Sequence, residues 1–298
     1  MTAPIVLFVF ARPEHTRRTI EALKNNFLAD QSDLIIYSDA ARNEDERRRV
    51  ESVRDIISKV SGFRSVSIIE RDINNGLSKN ICEGVADACN LYGRAIVIED
   101  DIVTSPYFLA YMNKALDRYV NDKEIWHISG WNYPVDTDGL GDAFFWRLMN
   151  CWGWATWADR WKYYSKDPDR LISTWNKCHI KRFNLDGFAD FWGQIKGNQS
   201  GKIDTWAIFW YATIFEHNGL CLNPSKTLVQ NIGVDLSGEN CGDAAHFTSE
   251  SILEEVPGFP PDMEESVLAV QRVKQFYKNF NGSLARKIIR RIKRIIKY

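Results

Sequence analysis

The first hundred residues alternate between two hydrophobic rhythms. Short runs rich in Val, Ile and Phe occupy residues 4–10, 34–37, 65–70 and 95–98 and predict strands. Between them, apolar residues recur every three to four positions, the period of an amphipathic helix. Pro13 stands at a first helical position. Asn43 with Glu46 resembles a capping box before the run to Val60, which Gly62 stops. The turn Asn74-Asn75-Gly76 precedes a helix over residues 77–92, and Ser105-Pro106 fits an N-cap and first helical position. Another helix follows Asp204, runs to about Glu216 and ends near Gly219. Strands separated by helices predict an α/β fold: a mostly parallel sheet flanked by helices on both faces.

In such a sheet, polar residues at strand ends converge along one edge, where these folds bind ligands. Here they are Arg12, Asp39, residues 75–79 including Asn75 and Lys79, and the triplet Glu99-Asp100-Asp101. The triplet is the most informative. It ends a buried strand, its members repel one another, and each is costly to desolvate. A hard divalent cation, Mn²⁺ or Mg²⁺, shared with a phosphate relieves both problems. A strand-to-helix turn with Asp as a local cap is the simpler alternative. Arg12 and Lys79 can neutralise phosphates, Asp39 can accept from a base or ribose, and the helix after Gly76 offers backbone donors. The set suits a nucleoside diphosphate. No GxGxxG or GxxxxGKS/T occurs, which disfavours a dinucleotide site or a P-loop.

With 298 residues, 45% of them hydrophobic, the chain can build a sizeable core. No unbroken apolar run exceeds that of residues 5–11, which is far too short to span a bilayer and has no signal-peptide flanks. Six scattered cysteines without a CxxC pair predict free thiols. The net charge of −1 hides an asymmetry: residues 1–282 carry 31 basic against 39 acidic side chains, a net −8, and seven bases lie in residues 286–297. An acidic body argues against nucleic acid as a partner. In the tail, Leu284, Ile288, Ile289, Ile292, Ile295 and Ile296 recur at helical spacing with bases between them. That pattern predicts a basic amphipathic helix lying on an anionic membrane surface. The expected location is cytoplasmic, peripheral on the inner face of the cell membrane.

All eleven tryptophans lie between Trp126 and Trp210. Tryptophan faces stack on sugar rings, yet Trp154, Trp157 and Trp161 also follow a helical core spacing, so most are expected in the core. The expected organisation is a nucleoside-diphosphate-binding half (1–125), an aromatic-rich half of the same domain (126–282), and a membrane-associating tail (283–298).

The segments Ala11-Arg12-Pro13, Ser38-Asp39, Asn75-Gly76-Leu77-Ser78, Ile98-Glu99-Asp100-Asp101, Gly153-Trp154-Ala155-Thr156-Trp157, Cys221-Leu222-Asn223-Pro224 and Asn231-Ile232-Gly233 occur in that order. With them the chain resembles GT-A-fold glycosyltransferases of the family-2-like kind that includes bacterial polysaccharide transferases. It also echoes the Golgi N-acetylglucosaminyltransferase I group. The resemblance covers about residues 4–245. It implies a GT-A-like fold and transfer of a hexosyl or N-acetylhexosaminyl group from a nucleotide-diphosphate sugar, UDP favoured, to a saccharide acceptor. It makes Asp101 the metal ligand and directs Glu99 and Asp100 to the ribose or to water beyond the metal. The motif here is Glu-Asp-Asp rather than the commoner Asp-x-Asp. The polar, Gly-rich residues 230–242, with hinges at Gly233, Gly238 and Gly242, resemble the family's mobile loop. His246 beyond it is a candidate for metal or phosphate.

An inverting transferase needs a carboxylate to deprotonate the acceptor hydroxyl. Asp159, Asp186, Asp190, Asp204 and Asp235 follow the metal motif. Asp204, where the family places its base, is favoured over an N-cap role, with Asp190 and Asp159 in reserve. A lipid-linked acceptor would fit the tail. Two other classes compete. A sugar nucleotidyltransferase would carry a Gly-rich basic loop after the first strand, where this chain has Ala11-Arg12-Pro13-Glu14. A non-catalytic membrane-associated carbohydrate-binding protein would not need the acid triplet.

Overall fold

The computed structural model describes residues 2–233, 247 and 252–282. The first half runs β1 (Ile5–Val9), α1 (Pro13–Lys24), β2 (Asp33–Ser38), α2 (Glu44–Ser58), β3 (Ser65–Glu70), α3 (Gly76–Tyr92), β4 (Arg94–Glu99), β5 (Ile102–Thr104) and α4 (Phe108–Arg118). The second continues with β6 (Ile125–Ser129), β7 (Ala143–Trp146), β8 (Trp154–Trp157), α5 (Ala158–Trp161), α6 (Pro168–Thr174), α7 (Lys177–Phe183), α8 (Trp192–Gln199), α9 (Ala207–Glu216), β9 (Leu220–Pro224), β10 (Val229–Asn231) and α10 (Val267–Gly282).

Among the described residues, eight strands form one sheet in the order β3-β2-β1-β4-β8-β6-β9-β7, while β5 and β10 pair as a separate antiparallel ribbon. β1 to β4, β6 and β9 share one direction; β8 and β7 run against it. The expected α/β architecture with a mostly parallel sheet is therefore present. β1 is buried along its whole length inside the sheet, whereas the serine- and glutamate-bearing β3 closes one edge with most residues exposed, as suits an edge strand. Right-handed crossovers put α1 and α2 on one face. The step from β3 back to β4 puts α3 on the other. Gly84 lets α3 approach the sheet closely: a Cβ there would stand 2.8 Å from the rings of Phe8 and Tyr37.

Several predicted boundaries shift. α4 starts at Phe108 rather than Pro106, because the Ser105 hydroxyl and carbonyl first accept from the amides of Tyr107 and Phe108. α2 begins as expected, with Asn43 accepting from the Glu46 amide, but it ends at Ser58. The helical reading of Trp154 and Trp157 is wrong. They belong to β8, whose four residues are all buried; with both faces covered, burial carries no period of two to mark the strand. Only Trp161 sits on a helix, α5.

Candidate active site

The chain builds β1, β2 and β3 outward on one side, then returns so that β4 pairs with the other side of β1. The crevice at the carboxyl ends of β1 and β4 is thus the topological switch point, where open α/β sheets bind ligands. Register aligns those ends: Val9 pairs with Ser38, and Phe8 with Glu99. Arg12, Asp39, Glu99, Asp100 and Asp101 therefore emerge together around a cavity of about 240 Å³. Gly76 and Leu77 line it from the start of α3, and Arg42 and Arg49 from beyond β2.

Arg12 joins the acids. Its Nη2 donates to Asp100, and its Nη1 donates to Asp101 Oδ2 at 3.0 Å. Burial opposes the guanidinium charge, but the two aspartates outweigh it and raise the Arg12 pKa. Both aspartates are nearly inaccessible. Asp100 also accepts from the Phe10 amide at 3.3 Å. Burial pushes its carboxyl above the usual range, against the pull of Arg12. Burial and the charges of Asp101 and Asp100 push Glu99 up to about 8.

Asp39 is buried and already has three donors. Its Oδ1 accepts from the amides of Ala40 (3.0 Å) and Asn75 (2.9 Å), and its Oδ2 from Gly76 (2.9 Å). It ties the end of β2 to the first turn of α3 and keeps one lone pair for a ligand. Asn75 contributes its backbone to this tie. Lys79 lies outside the cavity lining, exposed, 3.2 Å from the Asn75 side chain and 3.8 Å from Glu83.

A hard divalent ion requires oxygen ligands. Asp100 and Asp101 offer carboxylates at the switch point, yet no three His, Cys, Asp or Glu side chains form a metal cage among the described residues. The set fits an ion that takes its remaining ligands from a bound diphosphate and water, the usual habit of Mg²⁺. The β5–β10 ribbon frames this spot. Ile232 donates its amide to the Asp101 carbonyl at 2.8 Å, and Asn231 caps the Gly233 amide at 2.8 Å. A Cβ at Gly233 would overlap Asp101 Oδ2 and stand 2.9 Å from Arg12 Nη1. Only glycine allows that approach. His246 and Asp235 lie outside the described residues, as do Gly238 and Gly242.

Asp204 precedes α9 but does not cap it; Trp206 occupies that position. Its exposed carboxylate pairs with Lys166, whose Nζ also donates to Ser78 Oγ at 2.8 Å. Ser78 follows Leu77 in the first turn of α3, so Asp204 stands at the border of the cavity without lining it. The segment is pinned on both sides. Thr205 exchanges hydrogen bonds with the Asn198 side chain at 2.8 and 2.9 Å. Trp206 stacks on Trp154 at 5.1 Å, and Trp154 stacks on His127 at 5.3 Å. His127 accepts at Nδ1 from the Trp210 indole (3.2 Å), which can only donate, so its Nε2 proton points to the Asn150 carbonyl (3.0 Å). Burial holds this imidazole down at about 3, hence neutral.

The other described candidates are engaged too. Asp159 pairs with Lys123 and Arg160, Asp190 caps Gly193, and Asp186 pairs with Lys274. Nearly all the tryptophans are core; Trp152 and Trp175 alone are partly exposed. Trp152 adjoins Cys151, whose thiol is raised by burial and by Glu99 and Asp101, so this segment borders the acids. Sequence reasoning missed Lys166, Arg42 and Arg49. Lys166 shows its importance through contacts distant in sequence, and Arg49 through its place in the cavity wall; Arg42 is legible only as a residue beside the capping box.

No protein-family model and no curated protein matches the chain. Among solved structures, a mannosyltransferase from Pyrobaculum calidifontis in complex with GDP-Man and Mn²⁺ overlaps 72% of this chain and 68% of its own, at 8% identity and a TM-score of 0.37. Glucosyl-3-phosphoglycerate synthase from Mycobacterium tuberculosis, in complex with Mn²⁺, UDP and glucosyl-3-phosphoglycerate, overlaps 53% and 57%, at 12% identity and a TM-score of 0.33. S. aureus TarS 1–349 overlaps 53% and 47%, at 9% identity and a TM-score of 0.35. The chain spans less than two thirds of the latter two. Scores of this size carry no conclusion about activity; the fold rests on the strand order and register described above.

Proposed function

We propose that the protein is a GT-A-like, divalent-cation-dependent glycosyltransferase. It moves a hexosyl or N-acetylhexosaminyl group from a nucleotide-diphosphate sugar, UDP favoured, to a saccharide acceptor with inversion. The observation that carries the reading is the pair of buried aspartates at the switch point, opening with Arg12 and the start of α3 into one cavity. Asp101, with Asp100 beside it, would hold the ion; when bound, the ion supplies positive charge for the departing diphosphate. Arg12 would meet phosphate oxygens, and the first-turn amides of α3 that Asp39 does not take favour anions. Arg42, whose guanidinium lies 5.2 Å over the Phe10 ring, and Arg49 flank the end left for the nucleoside.

Asp204 is the general base of this reading. The acceptor oxygen attacks the anomeric carbon, its proton passes to the Asp204 carboxylate, and the bond to the diphosphate oxygen breaks with its electron pair. Lys166 and the Trp206–Trp154 stack orient that carboxylate. Trp152, partly exposed beside Cys151, serves as the acceptor platform. The basic tail, residues 283–298, lies outside the described residues; its sequence pattern suits attachment to an anionic membrane and an acceptor carried on a lipid, as in surface polysaccharide synthesis. Among the described residues no helix is long and apolar enough to cross a membrane.

The test is calorimetric titration of UDP, GDP and dTDP with and without Mn²⁺. Asp101→Asn replaces a carboxylate with an isostere that cannot neutralise the cation. It is expected to remove the Mn²⁺-dependent part of binding and keep the fold. Unchanged Mn²⁺-dependent affinity in the variant would exclude Asp101 as the principal ligand.

A further inference from the structure

The arrangement of Arg12 makes a statement about how the ion enters, and it rests on the function proposed above. One guanidinium spans both aspartates: Nη2 is on Asp100 and Nη1 on Asp101 Oδ2. The three side chains are 18%, 5% and 7% exposed, so the carboxylates have little water to fall back on. Two further approaches are taken. Asp100 Oδ2 faces the Phe10 amide, and the Gly233 backbone stands directly against Asp101 Oδ2. A dication arriving alone would meet a positive group already on the oxygen it needs.

We infer that Arg12 takes the cation's place in the ligand-free protein, and that a divalent ion gains Asp101 only when an anion draws Arg12 away. Withdrawing one partner from a buried ion pair leaves an uncompensated charge, so the guanidinium does not leave unaided. A diphosphate offers what it needs, paired oxygens matched to its two-pronged geometry. The residues would then change partners: Asp100 and Asp101 would release Arg12 in favour of the ion, and Arg12 would take the diphosphate in place of the aspartates. Each ligand strengthens the other by the same factor. Arg12 is a positioning residue in this role, setting the order of assembly.

Calorimetry with Mn²⁺ alone, checked by the electron paramagnetic resonance signal of free Mn²⁺, tests this without turnover. Wild type is expected to bind Mn²⁺ weakly. Arg12→Gln, which removes the competitor, should bind it about 10- to 100-fold more tightly, the gain from freeing a site competent only a few per cent of the time. Arg12→Lys keeps one charge but a single prong and should fall between; it gives the same reading if the glutamine variant does not fold. Adding Asp101→Asn to either variant should abolish the gain. Equal Mn²⁺ affinity in wild type and both Arg12 variants overturns the inference, and so does a gain that survives Asp101→Asn. The function itself fails on a different result, the lack of Mn²⁺-dependent nucleoside diphosphate binding by wild type, which leaves the Mn²⁺-only comparison intact.

Discussion

Asp39→Asn separates a ligand contact from a structural tie. The Asp39 carboxylate is 6% exposed and receives three backbone amides, two at Oδ1 and one at Oδ2. Asparagine keeps one acceptor oxygen. Oriented to hold Ala40 and Asn75, it turns its NH₂ toward the Gly76 amide, so one charge-assisted bond is lost and two donors face each other. Hydrogen bonds to a charged group contribute about 1.5–3 kcal/mol each, which sets the cost of Asp39→Asn at roughly 2–3 kcal/mol. Alanine drops all three bonds, and part of that loss is recovered by water from the adjoining cavity, giving roughly 3–6 kcal/mol. At about 2–4 °C per kcal/mol for a chain approaching this size, the asparagine variant should melt several degrees below wild type and the alanine variant lower still. Differential scanning calorimetry without nucleotide is the assay. If Asp39 served only the base or ribose, Asp39→Asn would match wild type in that scan and lose only nucleotide affinity. That result would refute the tie between β2 and α3.

Three further outcomes are expected. Asp204→Asn should lower turnover by about 10²–10⁴, the usual loss for a general base, with nucleotide affinity nearly kept; normal turnover would remove Asp204 from the reaction. His127 is held neutral, its folded value of about 3 lying below the ordinary 6.5, so its contribution is complete above pH 6.5 and is lost as pH falls toward 3. His127→Gln should therefore flatten urea-measured stability against pH between 6.5 and 4 by up to about 1.4 kcal/mol per pH unit, and an unchanged slope would contradict the buried neutral imidazole. A chain ending at Gly282 should lose binding to anionic liposomes at physiological salt and still process a soluble acceptor, since each base near such a surface contributes about 1 kcal/mol; equal binding by both lengths would dispose of the membrane tail.

What could be read from the sequence was whatever is encoded locally. Strand ends in a βαβ chain carry their polar residues in short contiguous runs, so Arg12, Asp39 and the acid triplet were identifiable before their meeting place was known. Asn43 announced α2 because a cap acts within three residues. The second half resisted for a physical reason. When a sheet is covered on both faces, alternation disappears, and β8 reads as a helix whose tryptophans happen to recur at three and four. Roles that arise from pairing across the fold left no signature either. Asp39 reads as a ligand group in the sequence; its second role, as a tie, has no local mark because Asn75 and Gly76 are brought to it only by α3. Gly233 reads as a hinge in the sequence; its close approach to Asp101 is set by the β5–β10 ribbon and has no local mark. Residue type shows what a side chain can do; the register of distant strands decides which of its lone pairs are already taken. At this site that distinction separates Asp101, whose Oδ2 is held only by a displaceable guanidinium, from Asp39, whose bonds are to the backbone itself.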